Sequence, residues 1–279
     1  MFSPDHPACC WTTLTQAERD AAYNNSAAVA DSARHVAARN AASADYRAET
    51  PHHLDLAYGP GEREAWDIYP AAAADAPCLV FIHGGYWQMN ARGDFACFGR
   101  GLASHGWAVA LPGYTLAPAA DLGTIAGQIR RALDWLAAEG GRRGAGGPIL
   151  ISGWSAGAQL AALALDHPAV QAGLAISGVY ELAPLRDTYL DAKLKLSDQE
   201  IETLSPLRLP VVDKPLTVAY GTAELPALVE DALAFHTRRA RAHAPGALLP
   251  VPRADHYTVL DQLTAADGLL TRAALELMR

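Results

Sequence analysis

Two kinds of hydrophobic pattern divide the chain. From about residue 15 to residue 47 the sequence is Ala-rich and polar with few Gly or Pro, which predicts helices broken near Tyr23-Asn24-Asn25. The segments HHLDLAYG (52–59) and EAWDIYP (64–70) then alternate apolar and polar residues on either side of Gly59-Pro60-Gly61. That alternation predicts an antiparallel hairpin at a sheet edge. Beyond it the apolar runs become continuous, at 78–85, 107–114, 148–157, 170–178, 215–221 and 247–252, each ending in Gly, Pro or a polar residue. A strand buried on both faces requires such a run. Helix-like segments at 122–139, 156–166 and 225–243 lie between several of them. Strands alternating with helices imply right-handed crossovers and a parallel sheet. Residues 181–206 carry several Leu but no clear strand. They are expected to form an insertion over the carboxyl ends of the strands, the edge where open α/β sheets bind ligands.

Composition narrows the classes. A chain of 279 residues with 51% hydrophobic and 19% charged positions can bury one large core, which excludes disorder as its overall state. The net charge of -8 lacks the basic footprint of a nucleic-acid binder. No apolar run reaches the roughly 18–20 residues of a membrane helix. The N-terminus has neither a basic start nor an apolar h-region, so no secretory signal is expected. Cys9, Cys10, Cys78 and Cys97 show no zinc spacing and read as buried or incidental thiols in a reducing compartment. A cytoplasmic location follows as the expectation. No metal, no cofactor, no nucleic acid and no membrane partner is expected, and a homodimer stays open.

One motif carries chemistry. Gly153-Trp154-Ser155-Ala156-Gly157 follows an apolar run and precedes a helix-like run. A G-x-S-x-G between strand and helix holds a nucleophilic Ser on a sharp, strained turn. Side chains two residues to either side would collide there, and the following helix aims its free N–H groups at developing negative charge. Serine needs a base, and nucleophiles of this kind are followed in chain order by an acid and then a His. Of the ten His, six precede Ser155, and His167, His236 and His243 fall within or at the end of predicted helices. His256 alone follows the last strand in a loop, so it is the candidate base. The acid belongs just past the preceding strand, where Glu224 stands three residues after Gly221. Asp231 and Glu230, which read as solvated helix positions, and Asp255 are the rivals. A tetrahedral intermediate needs donors. The backbone N–H of Ala156 is one, and those of Gly85 and Tyr86 in His83-Gly84-Gly85-Tyr86-Trp87 are the others. His83 reads as an anchor for that loop. Tyr86, Trp87, Tyr114, Trp154, Tyr180 and Tyr257 cluster near the predicted strand ends and suggest aromatic walls around a substrate, or simply packing.

HGGYW (83–87), GWSAG (153–157), GTAE (221–224) and DHY (255–257) together resemble the α/β-hydrolase superfamily, in its hormone-sensitive-lipase-like branch. HGG-x-W is the mark of kynurenine formamidases (arylformamidases) and related bacterial esterases. YNNSAAVAD (23–31), GYTLAP (113–118) and the segment 182–207 are similar to further parts of that group. The resemblance implies a mostly parallel central sheet with helices on both faces and a small cap. Residues 1–279 would form a single domain, with 1–50 and 181–206 as cap elements. It implies a metal-free hydrolase acting on an aryl formamide or a small carboxylic ester, its alternative being a carboxylesterase with no formamidase role. A non-catalytic binding protein on the same fold is the remaining reading. Relatives commonly carry His where this chain has Trp154 and Gln159, and many have Asp where it has Glu224.

Overall fold

The computed structural model describes residues 11–279, so Cys9, Cys10 and the start of the stretch read for a secretory signal lie outside the described residues. Among those described are the strands β1 (His53–Ala57), β2 (Ala65–Tyr69), β3 (Cys78–Ile82), β4 (Ala108–Pro112), β5 (Ile149–Trp154), β6 (Val170–Ile176), β7 (Leu216–Gly221) and β8 (Leu248–Val251). They form one sheet in the order β1-β2-β4-β3-β5-β6-β7-β8. The β1–β2 and β2–β4 pairs are antiparallel and the remaining pairs are parallel. The expected edge hairpin is therefore β1–β2. α-Helices of seven residues or more are α1 (Gln16–Ala22), α2 (Ser32–Glu49), α3 (Leu122–Glu139), α4 (Ala156–Leu163), α5 (Asp198–Leu204), α6 (Pro226–Arg241) and α7 (Leu269–Leu277).

The continuous apolar runs are explained by what covers each face. Every residue of β3, β4 and β5 is buried. Successive side chains point to opposite faces of a sheet. Val80, Ile82 and Ile151 accordingly pack with Ile125, Ile129 and Leu133 of α3 and with Leu228 and Phe235 of α6. Leu79, Phe81 and Leu150 pack on the other side with Phe95, Phe98, Leu270 and Ala274. The sheet is thus the middle layer of an α/β-hydrolase fold. α3 presents Leu122, Ile125, Ile129, Ala132, Leu133 and Leu136 as one stripe, and its cap Asp121 accepts from Thr124 N at 2.7 Å.

The break expected at Tyr23-Asn24-Asn25 is a change of helix. Thr15 and Glu18 cap the start of α1 reciprocally. After Tyr23, the Asn24 side chain accepts from Ala27 N at 3.1 Å and starts a separate turn, Asn25–Ala28. Helix α2 is then pinned through Ser43, whose hydroxyl donates to Asp94 O at 2.9 Å and accepts from Cys97 N at 3.2 Å. Segment 181–206 contains short helical turns and no strand. Its carbonyls at Leu190 and Leu204 accept from Gln88, in the loop after β3, and from Gln159, in α4. It therefore lies against the two elements that leave the carboxyl ends of β3 and β5.

A demanding contact for the site is where α4 leaves β5. A Cβ on Gly157 would sit 2.1 Å from the carbonyl oxygen of Ile82, whereas one on Gly141 would meet nothing within 4 Å. Gly157→Ala is therefore expected to lower the unfolding free energy by about 2 kcal/mol or more, and Gly141→Ala to stay within about 0.5 kcal/mol of wild type. Urea unfolding of the two variants checks this, and equal midpoints would contradict it.

Candidate active site

The turn from β5 into α4 places Ser155 in a conformation that L-residues rarely adopt, with φ 57° and ψ -122°. Such a residue costs on the order of 1–3 kcal/mol and persists only when its surroundings over-determine it. Two contacts do so. Ser155 N–H donates to Ile176 O of β6 at 2.9 Å. Gly153 and Gly157 let the turn close, since a Cβ on Gly153 would lie 2.2 Å from Gly157 O.

From this turn runs a chain of hydrogen bonds. Ser155 Oγ lies 3.1 Å from His256 Nε2, and His256 Nδ1 lies 3.1 Å from Glu224 Oε2. All three residues are buried. The other oxygen of Glu224 accepts from Gly221 N–H at 2.8 Å and from the Ser177 hydroxyl. A carboxylate held by two donors presents its remaining oxygen to the imidazole in a fixed direction. With Nδ1–H directed to Glu224, Nε2 is left as the acceptor facing the serine hydroxyl. Asp231 is committed elsewhere, accepting from the N–H groups of Tyr180 and Glu181, and burial pushes its carboxyl up to about 7. Asp255 accepts from the N–H groups of Tyr257 and Thr258 and so shapes the loop that carries His256. Glu230 lies on α6.

The loop after β3 passes directly over the serine. A Cβ on Gly84 would meet Trp154 O at 2.5 Å and Ser155 Cβ at 3.0 Å. Gly85, Tyr86 and Trp87 all have positive φ, at 117°, 49° and 57°. The backbone N–H groups of Gly85, Tyr86 and Ala156 donate to no backbone carbonyl among the described residues. Gly84 O is held from two sides, by Asn90 Nδ2 at 3.1 Å and His83 Nδ1 at 2.9 Å. Burial pushes the His83 imidazole down to about 3, so it is neutral and donates through Nδ1.

The six aromatic candidates separate into two groups. Trp87, Tyr114 and Tyr180 are fully buried. Trp87 donates its indole N–H to Gln159 Oε1, Tyr114 stacks on His83 and donates to its carbonyl, and Tyr180 stacks on Phe235. These three pack the supports of the site. Aromatic character is visible in a sequence, but the direction a ring faces is set by distant elements. Trp154, Tyr86 and Tyr257 stay with the hydrogen-bonded chain. The Trp154 indole N–H donates to His256 O at 2.8 Å, and its ring lies 4.7 Å from the His256 ring. Tyr86 Oη donates to Tyr23 O at 2.6 Å, and Tyr257 Oη lies 2.9 Å from Ser26 Oγ.

Sequence reasoning missed Ser177 and the two N-terminal residues Asn25 and Ser26. The signal for Ser177 was a polar residue directly at the end of an apolar run, AISG, on the edge where Ser155 emerges. Asn25 and Ser26 lie in the segment YNNSAAVAD, but nothing local shows their contacts, because their partners lie 61 and 231 residues away. Among the described residues no cluster of His, Cys, Asp and Glu is placed to hold a metal ion, and no helix is long and apolar enough to cross a membrane.

Comparison with known proteins agrees with this architecture. The BD-FAE family matches residues 66–171, from β2 through α4 to β6. A kynurenine formamidase of Danio rerio is 26% identical over 260 residues, covering 88% of each chain. A solved structure from Silicibacter sp., described provisionally as a thioesterase, is 28% identical with a TM-score of 0.83, covering 92% of this chain and 99% of that one. Esterase B of Lactobacillus rhamnosis shares the fold at 20% identity and a TM-score of 0.70, covering 94% of this chain and 95% of its own. The chain has the α/β-hydrolase fold and is similar to kynurenine formamidases and to esterases.

Proposed function

We propose that the chain is a serine-dependent hydrolase that cleaves an aryl formamide or a small carboxylic ester through an acyl-enzyme. The observation that carries this reading is the unbroken chain from Ser155 Oγ through His256 to Glu224, beneath a loop whose Gly85 and Tyr86 N–H groups donate to no backbone carbonyl among the described residues. In the first step His256 Nε2 takes the hydroxyl proton as Ser155 Oγ bonds to the carbonyl carbon. Charge moves onto the carbonyl oxygen, which the N–H groups of Gly85, Tyr86 and Ala156 receive. Glu224 stabilises the imidazolium through Nδ1–H and holds the ring in the right tautomer. His256 then returns the proton to the leaving nitrogen or oxygen as the C–N or C–O bond breaks. Water, deprotonated by the same imidazole, releases the acyl group as formate or another carboxylate. A formamide and an ester of the same acyl group pass through the same steps.

The cap belongs to this reading. Among the described residues, the segment up to about 50 and segment 181–206 are read as cap elements of a single domain, which suits a small-molecule substrate. The similarity to formamidases supports an aryl formamide as that molecule, with the ester as the alternative.

Ser155→Ala is expected to remove turnover of N-formylkynurenine and of p-nitrophenyl acetate alike, with the fold intact by circular dichroism. Near-normal hydrolysis of both would overturn the mechanism. Trp154 ties the His256 backbone to the strand that ends in the nucleophile. Trp154→Phe keeps a ring over the imidazole and removes only the N–H, so kcat is expected to fall about tenfold with KM little changed, the weight of one net hydrogen bond. Steady-state kinetics check this, and an unchanged kcat would show that the bond does not position His256.

A further inference from the structure

Asn25 begins the short turn between α1 and α2 and is 5% exposed. Its amide orientation is fixed by its neighbour. The single hydroxyl hydrogen of Tyr86 goes to Tyr23 O at 2.6 Å. The Tyr86 oxygen must therefore accept from Asn25, which offers Nδ2 at 3.0 Å. The other end of the amide, Oδ1, is buried and has no hydrogen-bond partner among the described residues. A buried carbonyl oxygen left without a donor is costly, and such groups in folded chains call for an explanation.

Its location supplies one. Tyr86 belongs to the loop after β3, and its own N–H is one of the three amides proposed to receive the oxyanion. The next residue along, Ser26, pairs with Tyr257 at 2.9 Å, and Tyr257 follows His256. Residues 25 and 26 thus bridge the two loops that flank Ser155. The helical turn is pinned at both ends, so the amide has little freedom to find a partner within the chain.

We propose that Asn25 Oδ1 accepts a hydrogen bond from an N–H of the substrate, and so selects N–H-bearing substrates such as formanilides over esters of the same shape; this rests on the serine-hydrolase reading above. An ester oxygen in place of that N–H brings a lone pair against the Asn25 carbonyl and leaves the acceptor unsatisfied. A site built to pair with a donor rejects the analogue lacking it far more strongly than an apolar pocket would.

The test compares kcat/KM for formanilide and phenyl formate, corrected for spontaneous hydrolysis, in wild type, Asn25→Leu and Tyr86→Phe. Asn25→Leu removes the acceptor at nearly constant volume and is expected to lower the formanilide-to-phenyl-formate ratio about tenfold or more. Tyr86→Phe frees the amide to turn over and is expected to lower the same ratio by a smaller factor. Equal loss on both substrates in Asn25→Leu, or an unchanged ratio, assigns Asn25 to packing and overturns the proposal. Should Asn25→Leu not fold, an unchanged ratio in Tyr86→Phe overturns it instead. Wild-type protein that hydrolyses neither compound overturns the serine-hydrolase reading itself.

Discussion

The closeness of β5, α4 and β3 at residues 153–157 is the constraint from which the site follows. Gly157 lies so near Ile82 O, and Gly153 so near Gly157 O, that any side chain at either position would force the layers apart. This packing drives the intervening Ser155 into its strained backbone conformation. The hydroxyl is thereby lifted beyond the carboxyl ends of the strands, where loops from β3, β7 and β8 can meet it. The strain is sustained by the core itself, because the same approach buries Ile82 and Ile151 against the helices on one face and Phe81 and Leu150 on the other. Rigid layers then supply fixed positions for flexible chemistry, the arrangement under which orienting a catalytic group costs least at the moment of reaction.

Around this turn the loops are held by polar contacts rather than by apolar burial alone. Ser177 and Gly221 N–H fix Glu224, and Trp154 fixes the backbone of His256. A neutral His83 and Asn90 fix Gly84 O. The N-terminal segment closes the set through Tyr23 and Asn25 on Tyr86 and through Ser26 on Tyr257. Burial strengthens those away from solvent, the Ser26–Tyr257 contact being exposed, and it makes any unpaired buried member expensive. Two members of this set are unpaired among the described residues, Asn25 Oδ1 and His83 Nε2.

Much of this was legible in the chain because the governing rules are local. The continuous apolar runs named the strands to within a few residues, and α3 spans the predicted 122–139. Alternation at 52–59 and 64–70 named an antiparallel edge pair, since only an edge leaves one face of β1 to solvent. Ser155 was marked by its glycines, and His256 and Glu224 by chain order and position past a strand. What escaped depends on contacts far apart in sequence. Trp154 and His256 are 102 residues apart, and Glu224 and Ser177 are 47 apart. The aromatic residues show the same limit. Trp87, Tyr114 and Tyr180 lie near the right edge of the sheet, yet their rings pack inward because α4, His83 and Phe235 offer them partners.

The central claim is that the strained serine and the amides of Gly85, Tyr86 and Ala156 form one machine for a tetrahedral oxyanion. The most direct test is a crystal structure of the protein after reaction with a small aryl phosphonate, whose phosphoryl oxygen mimics that anion. The account predicts a covalent bond to Ser155 Oγ, with the phosphoryl oxygen at about 2.7–3.1 Å from the amide nitrogens of Gly85, Tyr86 and Ala156. An adduct on another residue, or an oxygen pointing away from all three amides, would contradict it.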